Sequence, residues 1–235
     1  MALAYFTIYH NYRQFYGFTK WYEKLNQRKC FYSGTLVQLL CLIPFFLFHF
    51  RSGVALGYMT DRDFLVIPNR DIFHWGSCFY VLTLLVWIVL EIDLLVRKSV
   101  FEANRVLSIF VPSILYGYGF LKGHVFVDIV FPLLIAHAIS YFAVMALSLR
   151  RLKPTKYTFM KALGIVVITA FVFGSSDYIF ETLSLSPYTD YVKDSTVWGA
   201  LAISVLVTPV ICHYVFDAWI WRYSHPRSKV IFTAQ

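Results

Sequence analysis

The amino-acid sequence predicts an all-α fold, a polytopic integral membrane helical bundle of about six transmembrane helices. Three observations carry this. Of 235 residues, 59% are hydrophobic and 14% charged, with a mean hydropathy of +0.61, which is far from an ordinary soluble domain. Six long stretches contain no Asp, Glu, Lys or Arg, and roughly 20 such residues cross a bilayer core as a helix. The basic residues between these stretches also alternate in density, as the positive-inside rule requires of a chain that crosses repeatedly.

Taken in order, residues 1–30 come first, interrupted by His10, Asn11, Arg13 and Gln14. They lack the unbroken apolar core of a cleavable signal peptide and are expected to stay on the mature protein. Tyr5, Ile8, Tyr9, Tyr16 and Trp21 among polar residues suit an amphipathic helix at the membrane interface or packed on the bundle. The charge-free runs follow at 31–50, 72–90, 106–121, 129–149, 162–176 and 195–216. The third and fifth are short and fit a tilted, kinked or re-entrant helix. Residues 31–223 therefore form the transmembrane domain and 224–235 a cytoplasmic tail.

Loop charge tests the count. Segments before the first run, after the second, after the fourth and after the sixth hold 16 of the 21 Lys and Arg residues, and the remaining segments hold 5. Both termini are thus expected on the cytoplasmic side. Losing one span scrambles that alternation, which favours six over five or seven. The same distribution explains the net charge of +8 without a continuous basic stripe, so nucleic acid is not an expected partner. Cys30, Cys41, Cys78 and Cys212 show no C-x-x-C spacing, and neither a disulfide framework nor a zinc knot is expected. No repeat of fixed period or low-complexity linker divides the chain.

Ionisable groups inside a span are costly and mark candidate sites. His213 in the sixth run and Asp217 just beyond it, four apart on the sixth helix, share a face, as do His137 and Tyr141 on the fourth. Counted at about 1.5 Å per residue from the inner basic residues, Tyr141 and His213 lie at a similar depth, and Glu91 lies roughly 9 Å above Arg97. Two imidazoles with a carboxylate suit a transition metal or haem iron. The candidate metal ligands are His137, His213 and Asp217, with His10 and Glu91 as further donors and Tyr141 as a cofactor contact. A hydrogen-bonded His213–Asp217 pair holding helices together is the plainer alternative. Glu91 and Asp93 alternatively sit at the inner interface, with Asp93 pairing Arg97 at i,i+4. His49, His74, His124, Asp128 and Asp177 are an outer group for which interfacial solvation suffices. Pro132 and Pro209 each precede a candidate histidine and favour a kink there. Trp219, Trp221 and Arg222 read as the interface anchor of the last helix.

There is no Gly-rich phosphate loop, G-x-S-x-G or H-E-x-x-H, which argues against a soluble-type enzyme. Three functions are compatible with the residues. The first is a structural, accessory or cofactor-holding subunit of a larger membrane complex, binding lipids and other membrane subunits through aromatic helix faces. The second is a membrane-embedded metal- or haem-dependent enzyme acting on a lipophilic substrate such as an acyl chain, isoprenoid or quinone. The third is a proton- or ion-coupled transporter using Glu91, Asp93, His137, His213 and Asp217. The small size, the few buried charges and the lack of a catalytic motif place the subunit first.

Overall fold

The computed structural model describes residues 2–27, 30–53, 64–98, 101–185 and Cys212. Among them the chain is all-α, with six helices: α1 (Ala2–Leu25), α2 (Ser33–Phe48), α3 (Arg70–Lys98), α4 (Ala103–Lys122), α5 (Phe126–Leu152) and α6 (Phe159–Leu185). Five of them coincide with the first five charge-free runs. The sixth run lies outside the described residues, as do Pro209, His213, Asp217, Trp219, Trp221 and Arg222. Two helical segments, Arg70–Arg97 and Val127–Leu152, are long and apolar enough to cross a membrane. The chain divides into two compact units, Met1–Ile139 and Ser140–Gln235.

In the first unit the direction of each helix follows from which of its ends meet. Ser33 at the start of α2 touches Arg105 at the start of α4, and Phe48 at the end of α2 packs on Phe120 at the end of α4, so these two run parallel. α3 runs against both: Tyr32 reaches the carbonyl of Leu90, and Tyr80 reaches that of Ser113. α1 also runs against α2, with Tyr5 bonded to His49 beyond the far end and Lys20 beside Gly34 at the near end. It therefore travels the length of α2 rather than lying across one end. Its inward residues Ile8, Asn11, Phe15, Thr19 and Glu23 recur every three or four positions and are buried, the spacing of one helix face. Of the two placements the sequence allows, at the interface or packed on the bundle, α1 takes the second within this unit, bonding His49 through Tyr5 and Ser108 through Thr19.

The core between these helices is aromatic. Phe45, Phe48, Tyr116 and Phe120 meet at tilted or edge-on angles, the geometries that ring quadrupoles favour. Around them lie Phe15, Val37, Leu40, Cys41 and Ile109. Gly117 lets α3 approach α4: a Cβ there would meet the Tyr80 hydroxyl at 2.7 Å, and that ring is held by its own 2.6 Å bond to the Ser113 carbonyl. Pro44 and Pro112 lie within α2 and α4, each removing one intrahelical donor.

α3 has two faces of different kind. Phe73, Gly76, Tyr80, Thr83, Trp87, Glu91 and Leu94 form the inward stripe, each buried or half-buried. The outward face carries Ile72, Trp75, Phe79, Leu82, Val86, Val89 and Ile92, with Trp75 71% and Val89 63% exposed. Asn69 starts the helix, its side-chain oxygen accepting from the backbone N–H groups of Asp71 and Ile72 as an N-cap does. In the second unit Thr158 caps α6 through the N–H of Lys161, and α6 spans 27 residues, longer than the short fifth run suggested.

Gly117→Ala is expected to lower the stability of the purified chain by about 1–3 kcal/mol, the usual cost of overpacking. Thermal unfolding of the variant beside Gly164→Ala, whose added Cβ meets nothing within 4 Å, measures it. Equal effects at the two glycines would refute the close approach.

Candidate functional site

Two polar constellations lie within the first unit. The first joins α1 to α5. The rings of His10 and His137 lie together, with centres 5.4 Å apart and planes tilted by 59°. Gln14, one turn beyond His10, donates its side-chain N–H to the carbonyl of His137 at 3.3 Å, and its own carbonyl oxygen is buried without a hydrogen-bond partner among the described residues. Asn11 is buried beside His10 in sequence. Pro132 sits inside α5, five residues before His137. Tyr141, one turn after His137, belongs to the second unit.

The second constellation closes one end of α2, α3 and α4. Arg105 is 1% exposed, and its planar guanidinium distributes its donors among three segments. Nη1 and Nη2 bond the two carboxylate oxygens of Glu91 on α3 at 2.8 and 2.5 Å. Nε bonds Glu102 at 2.7 Å, and Nη1 also reaches the Ser33 hydroxyl on α2 at 2.9 Å. A rigid fork of N–H groups suits this bidentate task, which a lysine cannot reproduce.

Both Glu91 oxygens are thus occupied by Arg105. His10 lies ten residues, about 15 Å of helix, from Lys20, which sits at the Gly34 level near Ser33 and Arg105. Glu91 and His137 are accordingly parts of separate arrangements, and Glu91 is not brought to the histidines. Asp93 pairs with Arg97 at 2.7 Å, the expected i,i+4 contact.

Of the outer group, His49 and Asp128 take local partners, and the side chain of Asp177 lies outside the described residues. His49 receives the Tyr5 hydroxyl at Nε2 while Nδ1 faces the Phe45 carbonyl; the carbonyl requires Nδ1 to donate, so Nε2 is the acceptor in the neutral ring. Asp128 accepts from the backbone N–H groups of His124 and Val125 and thereby starts α5. Arg51 is buried and gives Nη1 to the Phe120 carbonyl at 2.9 Å. Burial pushes its guanidinium below the usual arginine value, because desolvation opposes charge. Among the described residues no three His, Cys, Asp or Glu side chains form a metal-binding group.

The chain matches no family model, no curated protein and no solved structure.

Sequence reasoning grouped His10 with His137 as candidate donors of one site, while the cluster of Arg105, Glu102 and Ser33 was not foreseen. Their signal was faint: Glu102 and Arg105 stand at i,i+3 just before a charge-free run, the spacing of a helix-surface pair.

Removing Arg105 leaves two buried carboxylates uncompensated, and Arg105→Met is expected to cost about 3–5 kcal/mol. Converting all three members to apolar residues (Arg105→Met, Glu91→Leu, Glu102→Leu) is expected to recover most of that loss, since an apolar core escapes the desolvation cost. Heat-induced unfolding of the two purified variants compares them, and a triple variant less stable than Arg105→Met would contradict this account.

Proposed function

We propose that this chain is a multi-pass integral membrane protein serving as a structural or cofactor-holding subunit of a larger membrane complex. The observation that carries the membrane part is the outward face of α3. Residues 72–90 contain no Asp, Glu, Lys or Arg and cover about 28 Å of helix, close to the roughly 30 Å of a hydrocarbon core. Large apolar side chains stay exposed along that length, an arrangement that water penalises and lipid does not. Arg70 and Asp71 bound it at one end, with Asp93 and Arg97 at the other.

The subunit part draws on α1. Its exposed face includes Phe6, Tyr9 and Arg13, and Arg13 lies near the middle of the helix with its guanidinium over the Tyr16 ring at 4.8 Å. A mid-depth arginine facing lipid costs about 2.5–3.5 kcal/mol or more, so this face favours a protein or aqueous neighbour over acyl chains. In this reading α1 crosses alongside α2, which adds one crossing to the six charge-free runs. The N-terminus then lies opposite the basic, cytoplasmic side, while the C-terminal tail stays on that side.

Alkaline carbonate washing is expected to leave the full chain in the membrane pellet. Membrane-impermeant thiol labelling in a cysteine-free background should place Ala2→Cys and Asn26→Cys on opposite faces. Release by carbonate would remove the membrane reading, and labelling from one face would return α1 to the interface. A chain that isolates in mild detergent only as a stable lone monomer would count against the subunit role.

A further inference from the structure

We infer that His10 and His137 are two ligands of one site for a borderline divalent transition-metal ion, of the zinc, cobalt or copper class, between α1 and α5. The inference deepens the cofactor-holding part of the function proposed above. Its first support is spacing. Imidazole nitrogens bound to a common ion at about 2.0–2.1 Å, with an angle between tetrahedral and trigonal, hold their ring centres roughly 5–5.5 Å apart. The two rings are 5.4 Å apart and inclined by 59°, a separation within that range.

The second support is preorganisation. The bond from Gln14 to the His137 carbonyl ties α1 to α5 one turn from His10, fixing the level at which the rings meet. A pair held in this way pays little ordering entropy when it binds. Gln14 then presents a buried carbonyl oxygen with no hydrogen-bond partner among the described residues, a neutral oxygen donor one helical turn from His10.

The third support is chemistry. Imidazole suits zinc, copper, nickel and iron, whereas magnesium and calcium require an oxygen shell that this pair does not offer. Two histidines do not fill a tetrahedral sphere, and water or the Gln14 amide would complete it. An ion with a water ligand is the arrangement that polarises a substrate or lowers the water's pKa.

The test uses the full chain in mild detergent, stripped with EDTA and titrated with Co2+ while its visible absorption is followed. About one equivalent is expected to bind, with Zn2+ displacing it. His10→Gln and His137→Ala should each weaken Co2+ binding at least about tenfold, the loss that even an outer-shell change commonly produces. His74→Ala, on the exposed side of α3, should leave it unchanged. Zn2+ should raise the melting temperature of the parent chain and not of His10→Gln, a readout that stands if His137→Ala fails to fold. Absence of Co2+ binding, or equal binding by His10→Gln, overturns the inference. A chain that resists carbonate yet binds no Co2+ removes only the metal site, whereas one that binds Co2+ but washes off removes the membrane reading instead.

Discussion

The register of α2, α3 and α4 depends on satisfying one buried guanidinium. Arg105 reaches Glu91, Glu102 and Ser33 at once, and the planar fork leaves few alternative placements for those partners. Sliding α3 by one helical turn, about 5.4 Å, carries Glu91 out of reach and strands charge in the interior. Desolvation offsets much of the Coulomb attraction in such a cluster, so its main effect is on alignment. The contacts farther along α3 and α4 follow from that alignment: Trp87 lies over Phe110, and Tyr80 meets Gly117.

The opposite end is closed by different chemistry. Arg51 ends on a backbone carbonyl of α4, and residues 64–69 fold back so that the N–H groups of Ile67 and Asn69 bond the carbonyls of His49 and Phe50. Those carbonyls lie beyond the last turn of α2, where helix geometry leaves acceptors unused. Tyr5 joins the same end by donating to His49 and accepting from the Leu65 N–H. Between the two ends the contacts are mainly aromatic and apolar, with single hydroxyls such as Tyr80 and Thr19 turned to backbone carbonyls.

Helix positions were legible because charge is expelled from the apolar stretches, and a stretch without charge can be read from composition alone. The local Asp93–Arg97 pair was legible for a similar reason, since i,i+4 partners declare themselves on one helix. α1 was less so: Asn11, Gln14, Thr19 and Glu23 are polar, yet three of these, Asn11, Thr19 and Glu23, are buried, and hydropathy weighs each residue without knowing which face it occupies. Counting Arg105 as a loop charge failed in the same way. Its carboxylate on α3 stands 14 residues away, a separation at which no helical periodicity reports contact. His10 and His137 could be grouped by residue type in the sequence, but the 5.4 Å separation of their rings could not be read there, because proximity between two distant helices is a property of the tertiary fold.

The bond between Gln14 and His137 spans 123 residues of chain, and this has a consequence for biogenesis. Contacts of such sequence separation form late, after loop closure has been driven by nearer elements. During synthesis α2 and α4 emerge well before α5, so α1 can dock on them before the bond that ties it to α5 is able to form. An assembly factor that engages the N-terminal helix while the ribosome is still working would therefore meet a surface that the finished protein closes with its own fifth helix.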